Sequence, residues 1–215
     1  GGVLEASRKR IGVVTTIVGI RELEIVFSGQ QNHAGTTPMN QRRDAATAAA
    51  ELALYVEKRG ASVPDLVATV GMLHVPGGSI NVVPGRCLFS LDMRAPTDAQ
   101  RDALVADVMA QLDQIAERRG VRVKAELTMS AAAAPSAPEW QARWERAVSA
   151  LGVPLFKLPS GAGHDAMKLH EVMPQAMLFV RGENSGISHN PLESTTTDDM
   201  QLCIDAFAHV LHHLA

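Results

Sequence analysis

Ile20-Arg-Glu-Leu-Glu-Ile-Val-Phe-Ser28 is the stretch on which the fold turns. Leu23, Ile25 and Phe27 share one parity and Glu22 and Glu24 the other, so it reads as a half-buried strand. Downstream, residues 41–59 are rich in alanine. Ala45, Ala48, Leu52 and Val56 form a helical stripe there, and Gly60 stops it. Strand-like runs at 66–75 and 86–94 enclose the loop from Pro76 to Gly85. A second helix covers 98–119, with Leu104, Val108, Leu112 and Ile115 on one face and Gly120 as its stop. A last strand, 121–129, alternates Val121, Val123, Ala125, Leu127 and Met129 against Arg122, Lys124 and Glu126. The order from 20 to 129 is β-α-β-β-α-β. That predicts an α/β chain of α+β type with a ferredoxin-like unit, an antiparallel sheet covered on one face by two helices.

On the N-terminal side, residues 11–18 read as a buried strand ending at Gly19. On the C-terminal side, Ser130 to Pro138 is small and proline-bearing and reads as a hinge. Beyond it come a helix at 138–151, a loop at 152–163, a strand at 175–180, a Gly/Asn/Ser loop at 181–194 and a helix at 197–214. These elements are too few for an independent domain. They read as the second half of a sheet whose first half lies elsewhere. The expected segments are 1–18, 19–130 and 131–215.

Composition narrows the function classes. The chain has 215 residues, 46% of them hydrophobic, with a formal net charge of −3. Its basic runs are short (Arg8-Lys9-Arg10, Arg42-Arg43, Arg118-Arg119), which argues against a nucleic-acid partner. The most apolar stretch, Ile11 to Ile20, is too short to span a bilayer, so no membrane partner is expected. Cys87 and Cys203 lie far apart and form no C-x-x-C pair, so neither a zinc ribbon nor a disulfide framework is supported. A reducing compartment follows, and with no basic and apolar leader at Gly1 the expectation is a soluble, cytoplasmic protein.

Four loop or strand-end groups carry chemistry. Asn32-His-Ala-Gly-Thr-Thr-Pro-Met39 displays His33 in a small-residue loop. Asn81, in Ser79-Ile-Asn-Val-Val-Pro84, offers both a donor and an acceptor, although spacing alone reads it as a turn residue. Asp92-Met-Arg94 ends a strand. Arg94 falls on the parity opposite Leu91 and Met93, fit for a carboxylate or for a salt bridge with Asp92. The fourth group is split. Ser160-Gly-Ala-Gly-His-Asp-Ala166 sets flexible backbone beside His164, where free N–H groups could bind an anion. Ser188-His-Asn-Pro-Leu-Glu193 sets His189 four residues before Glu193, a carboxylate able to orient an imidazole. His209, His212 and His213 read as an exposed helix face.

Together HAGTTPM, NVVPG, DMR, SGAGHDA and SHNPLE resemble the dinuclear-zinc amidohydrolases related to aminoacylase and zinc carboxypeptidases. Within that group they are similar to the N-carbamoyl-L-amino-acid hydrolase, β-ureidopropionase and allantoate amidohydrolase branch. The resemblance implies a zinc-binding catalytic domain interrupted by a ferredoxin-like lid that also forms a homodimer interface. It makes His189 a metal ligand. It makes His33 a catalytic residue that polarises the scissile carbonyl, and with Asn81 a lid residue that reaches the partner subunit's site. It gives Arg94 the substrate carboxylate, and Gly161, Ala162, Gly163 and His164 the lining of the substrate pocket.

The resemblance implies a pair of divalent metal ions in the full-length protein, zinc or else manganese or cobalt. By the same resemblance, the remaining zinc ligands, a bridging aspartate and a Glu-Glu pair that includes the general base are expected upstream of Gly1. The expectation is therefore a C-terminal portion with at most one metal ligand, inactive alone. The implied reaction is hydrolysis of a linear C–N amide in a carbamoyl or ureido carboxylate, namely an N-carbamoyl-L-amino acid, 3-ureidopropionate or allantoate. An aminoacylase or peptidase of the same superfamily is the alternative, or a non-catalytic dimerisation fragment.

Overall fold

The computed structural model describes residues 2–214, and the chain divides into two units. One is Val18–Ala133; the other is built from the chain's two ends, up to Ile17 and from Ala134. In chain order the elements are α1 (Gly2–Ala6), β1 (Ile11–Ile17), β2 (Gly19–Ser28), β3 (Asn32–His33), a 3-10 turn (Met39–Gln41) and α2 (Ala45–Gly60). Then come β4 (Val67–Thr69), β5 (Leu73–His74), β6 (Val82–Val83), β7 (Arg86–Ala95), α3 (Asp98–Arg119) and β8 (Arg122–Ala131). The rest are β9 (Ala134–Pro135), α4 (Pro138–Ala150), β10 (Lys157–Ser160), α5 (Ala166–Leu169), β11 (Leu178–Val180), a second 3-10 turn (Asn184–Gly186) and α6 (Thr197–His212).

In the Val18–Ala133 unit the sheet runs β4-β7-β2-β8, every neighbour antiparallel, with β5 also on β7. That is the ferredoxin-like order. The two-residue periodicity sends Leu23, Ile25 and Phe27 of β2 and Cys87, Phe89, Leu91 and Met93 of β7 to one face. There they pack with Ala48 and Leu52 of α2 and with Leu104, Leu112 and Ile115 of α3. Fully burying each such Leu, Ile or Phe is worth about 1.5–3 kcal/mol. Each helix starts on a side-chain cap. Asp44 accepts from the N–H groups of Ala46 (2.9 Å) and Thr47 (3.1 Å), and Thr97 accepts from that of Gln100 (3.3 Å).

The second unit has a sheet in the order β10-β1-β11, with β9 also on β1. β10 is parallel to β1, while β9 and β11 are antiparallel to it. Ile11 and Val13 of β1 pack with Trp144, Ala147 and Val148 of α4 and Ala206 and Val210 of α6. Asp199, in the first turn of α6 and 1% exposed, bonds Arg10 and Arg181 at the edges of β1 and β11. Among the described residues no helix is long and apolar enough to cross a membrane.

Five expectations are corrected. The first helix starts at Ala45 and not at 41, because Asp44 caps it and residues 39–41 form a separate turn. The strand expected at 66–75 is two short ones. Between them the Met72 N–H turns to the Ser90 hydroxyl (3.0 Å) while its carbonyl accepts the Ser90 backbone N–H (3.1 Å). The loop expected at 152–163 contains β10. Pro159 disguises it, but β10 is a sheet edge, where a missing N–H is tolerated. The strand expected at 175–180 begins only at Leu178. Last, the clean alternation of 121–129 is broken by a bulge opposite Glu22 and Leu23. It sets Met129 against Glu22, on the face opposite Leu23.

Candidate functional site

The His33 loop is built by converging backbones. After β2, the Gly29 N–H donates to Gly85 O (2.8 Å) and the Gln30 N–H to Arg43 O (2.9 Å). A Cβ on Gly29 would overlap the Arg43 carbonyl oxygen, so only glycine allows this approach. β3 then pairs antiparallel with β6, with Asn32 opposite Val83 and His33 opposite Val82. The Ala34 N–H donates to Asn81 O (2.8 Å). The structure thus brings His33 and Asn81, 48 residues apart in sequence, to one small hairpin-like pair. The Asn81 side-chain oxygen accepts from the Ser79 hydroxyl at 3.1 Å.

His33 is exposed, and its ring is oriented. The Gly35 N–H donates to Nδ1 at 3.0 Å. An acceptor nitrogen carries no proton, so the neutral ring holds its hydrogen on Nε2, where it can be donated outward. The His33 carbonyl accepts both the N–H (3.1 Å) and the hydroxyl (2.8 Å) of Thr37, closing the turn. A Cβ on Gly35 would stand 3.2 Å from His33 Cε1, so that glycine makes room for the ring.

Arg94 sits near the end of β7 and holds Asp92 with two bonds, Nε to Oδ1 at 2.8 Å and Nη2 to Oδ2 at 2.6 Å. Those bonds raise its pKa above the usual guanidinium value against the opposing effect of burial, with Asp92 and Glu22 adding their charge. The structure does not bring Arg94 to His33. Arg86 pairs with Ser28 at the His33 end of the sheet, whereas Arg94 pairs with Ile20 at the other. Eight residues of strand separate Arg86 from Arg94, roughly 26 Å at ~3.3 Å per residue.

In the unit formed by the chain ends, a cleft of about 620 Å³ is lined by Gly161, Ala162, His164, Phe179, Arg181 and Glu193, among others. Gly163 belongs to the same loop. His164 Nε2 lies 3.0 Å from the Ser160 hydroxyl, which suggests a nucleophile and its base. The hydrogen-bond directions exclude that pairing. Ser160 is fully buried and donates its own proton to Ala162 O (2.9 Å), so His164 must be the donor to Ser160. The pair shapes the loop, and the His164 ring leans on Phe179 with centroids 5.6 Å apart. α5, which follows, is a single turn of four residues, too short for a helix dipole to hold an anion.

His189 is exposed and takes a left-handed backbone, φ 56°. Such a conformation costs on the order of 1–3 kcal/mol outside glycine and clusters where a side chain must be aimed. Glu193 is placed differently from expectation. Its carboxylate accepts from the His189 backbone N–H (3.1 Å), so it folds the turn and does not grip the imidazole. Asn190 completes that turn by accepting from the Leu192 N–H (3.0 Å). Among the described residues no three His, Cys, Asp or Glu side chains converge. One imidazole falls short of the three or four ligands a zinc site needs. Burial pushes the thiols of Cys87, also beside Asp44, and of Cys203 above their usual range. Phe179 and Arg181 carry no signal in the sequence. Their parts in the cleft depend on which strand ends meet, and no local pattern announces them.

Known proteins share this arrangement. An N-carbamoyl-L-amino acid amidohydrolase from Geobacillus stearothermophilus is 37% identical over 215 residues, 100% of this chain and 52% of that protein. An allantoate amidohydrolase from Escherichia coli is 35% identical over 220 residues, covering 100% of this chain and 52% of that protein. The chain spans about half the length of these curated relatives. The crystal structure of an amidase of the hydantoinase/carbamoylase family from Burkholderia multivorans superposes with a TM-score of 0.94. It is 38% identical and covers 98% of this chain and 51% of that one. The pattern of Peptidase family M20/M25/M40 matches residues 3–213, and with identity of this order across the whole chain, this protein belongs to that family.

Proposed function

We propose that these residues are part of a metal-dependent amidohydrolase that cleaves the linear C–N amide of a carbamoyl or ureido carboxylate. The observation that carries the reading is the presentation of His33. Its Nε2–H points out of an ordered loop in a chain 37% identical to an N-carbamoyl-L-amino acid amidohydrolase. A donor held in place costs no reorganisation when negative charge develops on a carbonyl oxygen. One such donor is worth about 3–4 kcal/mol elsewhere. Asn81, beside it, orients the same part of the substrate. Arg94, its guanidinium oriented by Asp92, holds the substrate carboxylate and thereby positions the reacting bond. Gly161, Ala162, Gly163 and His164 line the pocket.

Arg94 and Arg86, which marks the end of β7 nearer the His33 loop, lie roughly 26 Å apart along that strand, too far for one small ureido acid to span. This supports a homodimer in which His33 and Arg94 serve different sites. The family generally uses divalent metals. Among the described residues His189 is the candidate ligand and zinc the first candidate ion, with the remaining ligands supplied by the rest of the full protein. The missing convergence of ligands among the described residues favours a second reading for these 215 residues alone, a lid and dimerisation module without turnover.

The test is a substrate panel on the full-length protein loaded with zinc, manganese or cobalt. N-carbamoyl-L-amino acids, 3-ureidopropionate or allantoate should turn over. Turnover confined to N-acyl amino acids or dipeptides would move the assignment to an aminoacylase or peptidase. A metal-loaded, folded dimer inert on the whole panel would overturn it.

A further inference from the structure

Arg42 is half-buried in a loop where Gln41 and Arg43, on either side, are exposed. Its guanidinium reaches back to two carbonyls, with Nη2–H donating to Ala34 O at 2.5 Å and Nε–H to Thr37 O at 3.1 Å. The first of these bonds is decisive. The Ala34 carbonyl and the Gly35 N–H belong to one planar peptide unit, so fixing one fixes the other. That Gly35 N–H is the group that donates to His33 Nδ1 (3.0 Å). A cation bonded to the carbonyl also polarises the amide and strengthens its N–H as a donor. On the other side, the Ala34 N–H is held by Asn81 O at 2.8 Å. The second bond ties down Thr37, whose own N–H and hydroxyl close on His33 O.

We infer that Arg42 is a positioning residue that sets the tautomer and ring orientation of His33 through the Ala34–Gly35 peptide. A planar fork with donors at fixed spacing spans two carbonyls in this way; the point charge of a lysine does not. The consequence for catalysis rests on the role proposed for His33. The geometry itself can be read in the ring nitrogens whether or not the protein turns over a ureido substrate.

The experiment is long-range proton–nitrogen NMR of His33 in the 215-residue chain at about pH 8.5, two units above the ordinary histidine pKa. Amide exchange is measured alongside. The wild type should show an unprotonated Nδ1 and a protonated Nε2. Arg42→Gln should raise the Nδ1–H population at least threefold and speed exchange of the Gly35 and Thr37 amides about tenfold, with the amides of α2 unchanged. Free guanidinium added to Arg42→Ala should reverse both changes. Wild-type ring shifts and exchange in folded Arg42→Gln would overturn the inference. So would an equal rise in exchange throughout α2, which would make Arg42 a general support of the fold.

Discussion

Asp199→Asn is expected to cost about 3 kcal/mol of stability, the lower part of the ~3–5 kcal/mol found when one partner of a buried ion pair is removed. The carboxylate is 1% exposed. It accepts Arg10 Nε on Oδ1 at 2.5 Å, and Arg181 Nε (2.9 Å) and Nη2 (2.7 Å) on Oδ2. Asparagine keeps one acceptor, turns the other into a donor facing an arginine, and removes the anion between two cations. Both guanidinium groups can rehydrate, since their side chains are 40% and 30% exposed, and this holds the cost to the lower end. Burial alone would push the Asp199 pKa up, but the bonds and charges of Arg10 and Arg181 outweigh it and hold it below the usual carboxylate range. A native pKa below the unfolded value, about 3.9, means this stabilisation is complete above that value. It is lost as pH falls through the native pKa. Urea unfolding at pH 7, followed by circular dichroism, should show a lower midpoint with an unchanged slope. In a thermal scan the loss corresponds to roughly 6–12 °C for a chain of this size. The variant should also lose less stability than the wild type on acidification below about pH 4. A loss under about 1 kcal/mol, or an acid limb identical to the wild type's, would refute the view that this triad ties α6 to β1 and β11.

His33→Ala in the full-length protein should lower turnover by roughly two orders of magnitude or more without changing bound metal, read by steady-state kinetics and metal analysis. Gly35→Ala, whose Cβ would stand 3.2 Å from His33 Cε1, should lower turnover about tenfold while leaving the unfolding midpoint in place. Gly29→Ala should destabilise the Val18–Ala133 unit by more than about 2 kcal/mol in urea, because two backbones must part. Residues 1–215 alone should bind zinc weakly and show no turnover. Two tightly held zinc ions per chain would contradict the single-ligand account of His189.

Much of the ferredoxin-like unit was legible in the sequence, because its strands and helices carry their partners' information in their own periodicity. Leu23, Ile25 and Phe27 face inward for a local reason, as do Leu104, Leu112 and Ile115. The short pieces were not legible. β3 and β6 are two residues each, with no period to detect, and they exist only because glycine-lined backbones meet. Pro159 hid β10, whose strand character comes from β1 beside it. Loop histidines could be singled out by their surroundings, but the bonding of each ring could not.

Sequence by itself determined the order of the long strands and helices, their inward faces, and the motif set that marks the family, since these depend on residues near one another in the chain. Tertiary structure decided which nitrogen of His33 holds the proton, that Glu193 grips a backbone N–H and not an imidazole, and that the His33 loop follows one end of β2 while Arg94 pairs at the other. Hydrogen-bond direction and strand register are properties of groups that meet in space. A bond made across a fold leaves no periodic trace along the chain.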